Sequence, residues 1–162
     1  MTDRLYYSDS SLHTFDAKII DRLEQAGQPA VILDRSAFYP DSGGQPADRG
    51  TLNNTPVIDV LVRETDGEVL HVLSRPITTD HVSGSIDPAR RFDFMQQHTG
   101  QHILSQAFIQ VAEAETVSFH LSDKTDDPVT IDLDTLNLRP DQIDRVAGAQ
   151  TVGRHLGHVE GG

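Results

Sequence analysis

The chain has no cysteine, only two lysines (Lys18 and Lys124) and no apolar run of membrane-spanning length among its 162 residues. Without cysteine there is no disulfide scaffold, no thiolate zinc finger and no cysteine nucleophile. A membrane helix needs about 20 consecutive apolar residues, and no such run occurs, so no membrane partner is expected. The opening Met1-Thr2-Asp3-Arg4-Leu5-Tyr6-Tyr7 is too polar and acidic for a signal peptide, which makes the cytoplasm the expected compartment. Positive charge is also scarce. Lys and Arg total 13 against 25 Asp and Glu, a formal net charge of −12. Such a surface disfavours non-specific binding of nucleic acid, because phosphate contacts need Lys and Arg. Asp outnumbers Glu 19 to 6, and Arg outnumbers Lys 11 to 2. That skew is halophile-like, and in concentrated salt acidic self-repulsion is screened. The net charge then carries little weight against a nucleic-acid substrate.

What is present reads as two patterns in series. The length fits one ordinary domain or two small ones. Up to about residue 87 the apolar runs are short and strand-like. They are Phe15–Ile20, Ala30–Asp34, Pro56–Val62, Val69–Leu73 and Val82–Ile86. Asp66-Gly67 between the third and fourth is a hairpin signal. Many short strands with Gly and Pro turns predict a small barrel or sandwich. Asp87-Pro88 then reads as an N-cap followed by Pro at the first helical position. From there Phe92, Met95, Ile103, Ala107, Phe108 and Val111 recur at helical spacing, predicting a helix of about 24 residues. Two strands, Thr116–Leu121 and Val129–Leu133, and a short helix over Asp141–Ala147 are expected next. Residues 148–162 are rich in glycine, lack aromatics and read as a poorly ordered tail.

Two constellations stand out. His98-Thr99-Gly100-Gln101-His102 puts imidazoles at i and i+4 of the long helix, about 6 Å apart at Cβ, which suits chelation of one divalent metal. Eight His in the chain make such a pair a common accident, so spacing alone leaves open a merely polar helix face. Zinc also wants three or four protein ligands. His120, on a strand shortly after the helix, is a candidate to line the same cleft. His155 and His158 lie in the tail. The second constellation is Ser42-Gly43-Gly44-Gln45-Pro46-Ala47-Asp48-Arg49-Gly50. Its paired glycines permit positive φ and close backbone approach to a ligand. The spacing is neither a P-loop nor a dinucleotide fingerprint, and a tight turn between strands is the alternative. No G-x-S-x-G elbow supports a serine hydrolase.

Taken together and in order, three segments resemble the free-standing alanyl-tRNA editing proteins of the AlaX type, relatives of the editing region of alanyl-tRNA synthetase. They are Phe38–Gly50, Arg90–Ser105 with its H-x-x-x-H, and Val117–Leu121 followed by Thr130–Leu133. The resemblance covers about residues 5 to 146. It implies an α+β chain. Residues 1–87 would form a translation-protein-like β-barrel. Residues 88–147 would form a partial version of the editing domain common to threonyl- and alanyl-tRNA synthetases, with a helix on an antiparallel sheet. Residues 148–162 would be an atypical tail.

It further implies hydrolysis of alanine tRNA mischarged with serine or glycine, with the tRNA acceptor end as partner. Such editing in a second site is the physical answer when a small pocket cannot reject near-isosteres by binding alone. One zinc ion is implied, held by His98 and His102 together with a later C-x-x-x-H pair. This chain has no counterpart of that second pair, and a truncated or frameshifted domain is the expectation. Thr99 and Gln101 are candidates to orient substrate or water, with helix surface or packing as the alternative. The stretch Gly43, Gly44, Gln45 and Asp48 would approach the aminoacyl adenosine. His120 would contact the ester or terminal ribose, and Arg90 and Arg91 a phosphate. Two function classes follow: a trans-acting, zinc-dependent aminoacyl-tRNA hydrolase, or an inactive remnant with at most residual tRNA or metal binding.

Overall fold

A computed structural model describes residues 1–123, 128–135 and 137–155. In chain order the elements are β1 (Asp3–Arg4), β2 (Thr14–Gln25), β3 (Gln28–Leu33), β4 (Arg35–Ser36), β5 (Gly50–Leu52), β6 (Thr55–Val62), β7 (Val69–Leu73) and β8 (His81–Ile86). Then come α1 (Pro88–Ala112), β9 (Thr116–His120), β10 (Thr130–Leu133) and α2 (Pro140–His155). The chain divides into two compact units, Met1–Asp93 and Phe94–Gly162.

In the first unit period-2 alternation dictates the sheet. Along β2, Phe15, Ala17 and Ile19 are buried while Asp16, Lys18 and Ile20 face water, as a half-buried strand requires. Six antiparallel strands close into a barrel in the order β2-β3-β7-β6-β5-β8, which leaves no free sheet edge. The interior is filled by Val31, Leu33, Phe38, Leu52, Val57, Val60, Val69, Leu73, Val82 and Ile86. Closure depends on Gly50. A Cβ there would lie 2.1 Å from the Ser85 carbonyl oxygen of β8, so only glycine lets β5 and β8 approach. The Asp66-Gly67 signal does mark the β6–β7 hairpin. Its loop is longer than two residues: the Arg63 carbonyl accepts from the Gly67 amide at 2.8 Å, and the Arg63 side chain binds Asp66. The strands β1, β4 and β5 and the second half of β2 had no separate signal in the sequence.

Helix α1 begins where Asp87-Pro88 places it. The Asp87 carboxylate accepts from the Ala89 and Arg90 amides at 3.0 and 3.1 Å, satisfying two donors that the first turn otherwise leaves unpaired.

In the second unit α1 continues from Phe94, and β9 pairs antiparallel with β10. Among the described residues Phe94, Ala107, Ala114, Leu121 and Val146 are its buried apolar ones. The register shifts between Asp132 and Leu133, so that Ser118 opposes Asp132 and Thr116 opposes Leu133, leaving Val117 as the extra residue of a bulge. Helix α2 starts on a capping pair, the Arg139 amide donating to Gln142 Oε1 at 3.0 Å. It runs to His155, so the first part of the expected tail is helical. Gly148 and Gly153 each cost about 1 kcal/mol relative to Ala, but Ala147, Ala149 and Gln150 beside them are good helix formers. Residues 156–162, including His158, lie outside the described residues. Barrel, two-stranded sheet and helices together make an α+β chain. Among the described residues no helix is long and apolar enough to cross a membrane.

Candidate functional site

The second unit brings the predicted metal pair together. His98 Nε2 and His102 Nε2 lie 2.8 Å apart, with ring centroids 4.7 Å apart. One turn of helix carries both rings on one side, as i and i+4 positions must. His98 also packs edge-on against Phe119 of β9, at 5.7 Å between ring centroids. Partial burial and the neighbouring His102 hold the His98 pKa below the usual imidazole value. One residue before His98, Gln97 fixes the helix to the segment after β9. Its Nε2 donates to the Ser122 carbonyl at 2.9 Å, and its Oε1 accepts from the Ser122 amide at 3.2 Å. At that distance one ring donates to the other's bare nitrogen, and both are nitrogens of the kind that bind a divalent metal. Among the described residues, no group of three or more His, Cys, Asp or Glu is gathered to hold a metal. The fit is therefore half a ligand set.

The flanking residues differ from one another. Thr99 is exposed, and its hydroxyl donates to the Met95 carbonyl at 2.9 Å. Gln101 is buried. Its Nε2 donates to Ser105 Oγ at 2.7 Å, while its Oε1 has no hydrogen-bond partner among the described residues. Ser105 Oγ is in turn bonded by Thr116 Oγ1 at 2.7 Å. The bulge at Val117 decides which strand residues look at the helix. Thr116 and Phe119 do, whereas Ser118 and His120 are exposed and Ser118 bonds Asp132. The β9 residue beside His98 is thus Phe119, and His120 stands on the other side of the strand.

The first unit holds the glycine-rich stretch. Gly43 and Gly44 both have positive φ, +58° and +83°. Ser42 and Gln45 exchange both backbone hydrogen bonds, 3.2 and 3.0 Å. This is a two-residue reverse turn of the kind that requires φ above zero at both central positions. The base of the excursion is closed as tightly as its tip. Asp48 accepts from the Tyr39 amide at 2.6 Å, and its own amide donates to the Tyr39 carbonyl at 3.0 Å. Asp48 is 1% exposed and Arg91 3%. Arg91 Nε donates to both Asp48 oxygens at 3.0 and 3.1 Å, Nη1 to Ser10 O at 2.8 Å and Nη2 to Ala37 O at 2.7 Å. The expectation that Arg91 meets a phosphate is corrected: its guanidinium is enclosed and each of its three nitrogens is bonded within the first unit, as a buried charge requires. Arg90 donates from Nε to the Ala47 carbonyl at 3.0 Å, so both arginines hold the end of the glycine-rich stretch. Nothing local in the sequence signals this latch, because Asp48 and Arg91 are 43 residues apart. An open cleft of about 580 Å³ on β2 and β8 is lined by residues of both charge signs, among them Asp16, Lys18, Asp34, Arg35 and His81. It contains none of the predicted site residues.

Residues 2–90 match the model of the family described as tRNA synthetases class II (A). The chain belongs to that family. Within it, the chain is 36% identical over 128 residues to the alanyl-tRNA editing protein AlaX-L of Pyrococcus horikoshii, covering 75% of this chain and 31% of the relative. It is 37% identical over 114 residues to AlaX-M of the same organism, covering 68% and 50%. With the alanine–tRNA ligase of Haloquadratum walsbyi it shares 41% identity over 109 residues, covering 65% and 12%. The resemblance carried by the three motifs is borne out. The chain spans half or less of the length of these relatives.

Proposed function

We propose that this class II (A) family chain edits alanine tRNA, hydrolysing the ester that joins a wrongly attached serine or glycine to the acceptor end. The observation that carries the reading is the convergence of His98 and His102 on α1, in a chain similar to alanyl-tRNA editing proteins. His98 and His102 would hold a zinc ion, which supplies a Lewis acid for the ester carbonyl or lowers the pKa of a bound water to about 7.

The remaining work falls to the chain. Thr99, whose hydroxyl proton is held by the Met95 carbonyl, offers its lone pairs to a water or ribose hydroxyl. Gln101 is buried; its Nε2 holds Ser105 Oγ, so it positions α1 from within and does not touch substrate. In the first unit, the turn Gly43-Gly44-Gln45 is the proposed substrate-binding element, its two positive-φ glycines leaving the backbone open to close approach by a ligand. Asp48 positions that turn from beneath and does not touch substrate. His120, on the outer side of β9, is left out of this centre.

The half ligand set supports a second reading, a remnant that binds metal or tRNA weakly and hydrolyses nothing. The test is release of serine and glycine from mischarged alanine tRNA by the full chain, with zinc, at low and high salt. Release well above the spontaneous rate, reduced at least about 100-fold in His98→Ala, supports editing. Release at the spontaneous rate in both proteins leaves the remnant reading.

A further inference from the structure

We infer that Tyr7 is a stacking platform for an unpaired base of the tRNA acceptor end, held in place by a ladder of tyrosines that starts at the base of the glycine-rich stretch. The inference rests on the tRNA part of the proposed function and is independent of the metal part.

The first ground is how the ring is held. The chain has three tyrosines and no tryptophan, and all three tyrosines meet in the first unit. Tyr39, whose amide and carbonyl are both bonded to Asp48, opens the excursion that carries the Gly43-Gly44 turn. Tyr6 packs on Tyr39 with 4.6 Å between ring centroids, and Tyr7 meets Tyr6 edge-on at 4.8 Å. Tyr6 is buried, whereas Tyr7 is 72% exposed. Single exposed aromatics are common on protein surfaces, but this one is fixed at both ends. Its hydroxyl accepts from Arg4 Nη1 at 3.2 Å, and Arg4 Nη2 donates to the Gly67 carbonyl at 2.9 Å. A ring already ordered loses little entropy when a ligand stacks on it. The Arg4 guanidinium, 6.0 Å from the ring centre, adds a positive charge suited to the phosphate of a stacked nucleotide.

The second ground is charge. A chain with a net charge of −12 gains little RNA affinity from counterion release, which needs many Lys and Arg at phosphates. Stacking on aromatic rings is the other main source of affinity for single strands. It accepts any base, because every base has a π-face, and it displaces no counterions. Unpaired RNA ends offer their bases to such a ring, whereas bases inside a duplex are already stacked. An acidic chain that acts on an RNA end therefore needs an exposed, ordered aromatic more than a basic chain does.

The experiment titrates the full chain with a short single-stranded RNA ending in adenosine, at 0.2 and 2 M KCl, with the same RNA closed in a duplex as control. Anisotropy of a 5′ label reads affinity. Tyrosine emission reads stacking, since without tryptophan it arises from the three rings of this ladder alone. The expected result is saturable binding of the single strand that quenches tyrosine emission. Tyr7→Ala should bind at least about fivefold more weakly at both salt concentrations, Tyr7→Phe close to the native chain, and the duplex should not quench. Unchanged urea midpoints in both variants show that the fold is intact. In deacylation, Tyr7→Ala should raise KM for mischarged tRNA and leave kcat nearly unchanged. Equal affinity of Tyr7→Ala and the native chain, bound RNA that leaves tyrosine emission unaltered, or no binding at all would overturn the inference. Tyr7-dependent binding without release of serine or glycine would sink the editing reading and leave the platform standing. Release with a KM indifferent to Tyr7 would do the reverse.

Discussion

His71 is the residue whose chemistry is most fully determined by its surroundings. It sits on β7 with no exposed surface, its Nδ1 3.3 Å from the Val31 carbonyl and its Nε2 2.7 Å from Ser36 Oγ. A carbonyl only accepts, so Nδ1 carries the proton and Nε2 accepts from the Ser36 hydroxyl. Ser36 Oγ in turn accepts from the Phe38 amide at 3.1 Å. The pairing looks like a serine nucleophile with its base, but both residues are enclosed, so no substrate reaches them. Burial pushes the His71 pKa down to about 4. The folded value lies below the unfolded one of about 6.5. Its contribution to stability is therefore complete above pH 6.5 and is lost as pH falls toward 4. The full depth is about 3 kcal/mol. Between pH 7 and 4 the native chain should lose about that much more unfolding free energy in urea than His71→Gln, which keeps an acceptor and a donor but does not titrate. Equal losses would mean that His71 is not the group responsible.

Gln101 poses the opposite case, a buried amide left half satisfied. An unpaired buried acceptor costs about 1–3 kcal/mol, and nothing in the packing of α1 recovers it. Gln101→Met, of similar shape, removes that acceptor but also the Nε2 bond to Ser105 Oγ, so unfolding free energy should stay unchanged or rise by up to about 1 kcal/mol. Urea denaturation showing Gln101→Met destabilised by well over about 1 kcal/mol, more than the lost bond to Ser105 accounts for, would place a further partner at Oε1.

At the scale of elements, α1 can be tuned in both directions. Asp87→Ala removes the cap that receives two amides and should cost about 1 kcal/mol. Gly100→Ala should return about the same amount, since a Cβ at Gly100 meets nothing within 4 Å and glycine is a poor helix former. Urea denaturation of the two variants should bracket the native chain, and Gly100→Ala on the unstable side would indicate a backbone that needs glycine there. The cap, the length of α1, the first half of β2 and the strands β3, β6, β7 and β8 were legible because each is written locally, in alternation or in Asp-Pro and Asp-Gly. Two- and three-residue strands such as β1, β4 and β5 have no period to read. The bulge at Val117 is decided by pairing with β10, so strict alternation could not foresee that Phe119 and not His120 meets His98. The Asp48–Arg91 latch needs the barrel closed before it exists. Of the candidate site, the i, i+4 pair and the paired glycines were visible, and the burial that separates Asp48 and Gln101 from the surface residues was not.

For the whole molecule the governing quantity is charge. Within the first unit the pair of Arg91 with Asp48 is buried, where salt screens little. Other ion pairs, such as Arg22 with Asp80 and Arg139 with Asp141, are exposed and worth little. Against them stands the mutual repulsion of a net −12. Raising ionic strength from 0.1 to 1 M shortens the screening length from about 10 Å to about 3 Å, less than most separations between surface carboxylates. The midpoint of thermal unfolding should therefore rise with KCl. Sucrose, which favours compact states without screening charge, provides the control. The sharper test removes the charge itself. Asp16, Glu24 and Glu64 are exposed, so replacing them with Asn, Gln and Gln should leave packing intact. That triple variant should melt higher than the native chain at 0.1 M KCl and gain less on going to 2 M. If its salt response matches that of the native chain, the stabilisation comes from salting-out of apolar surface and not from relief of acidic repulsion.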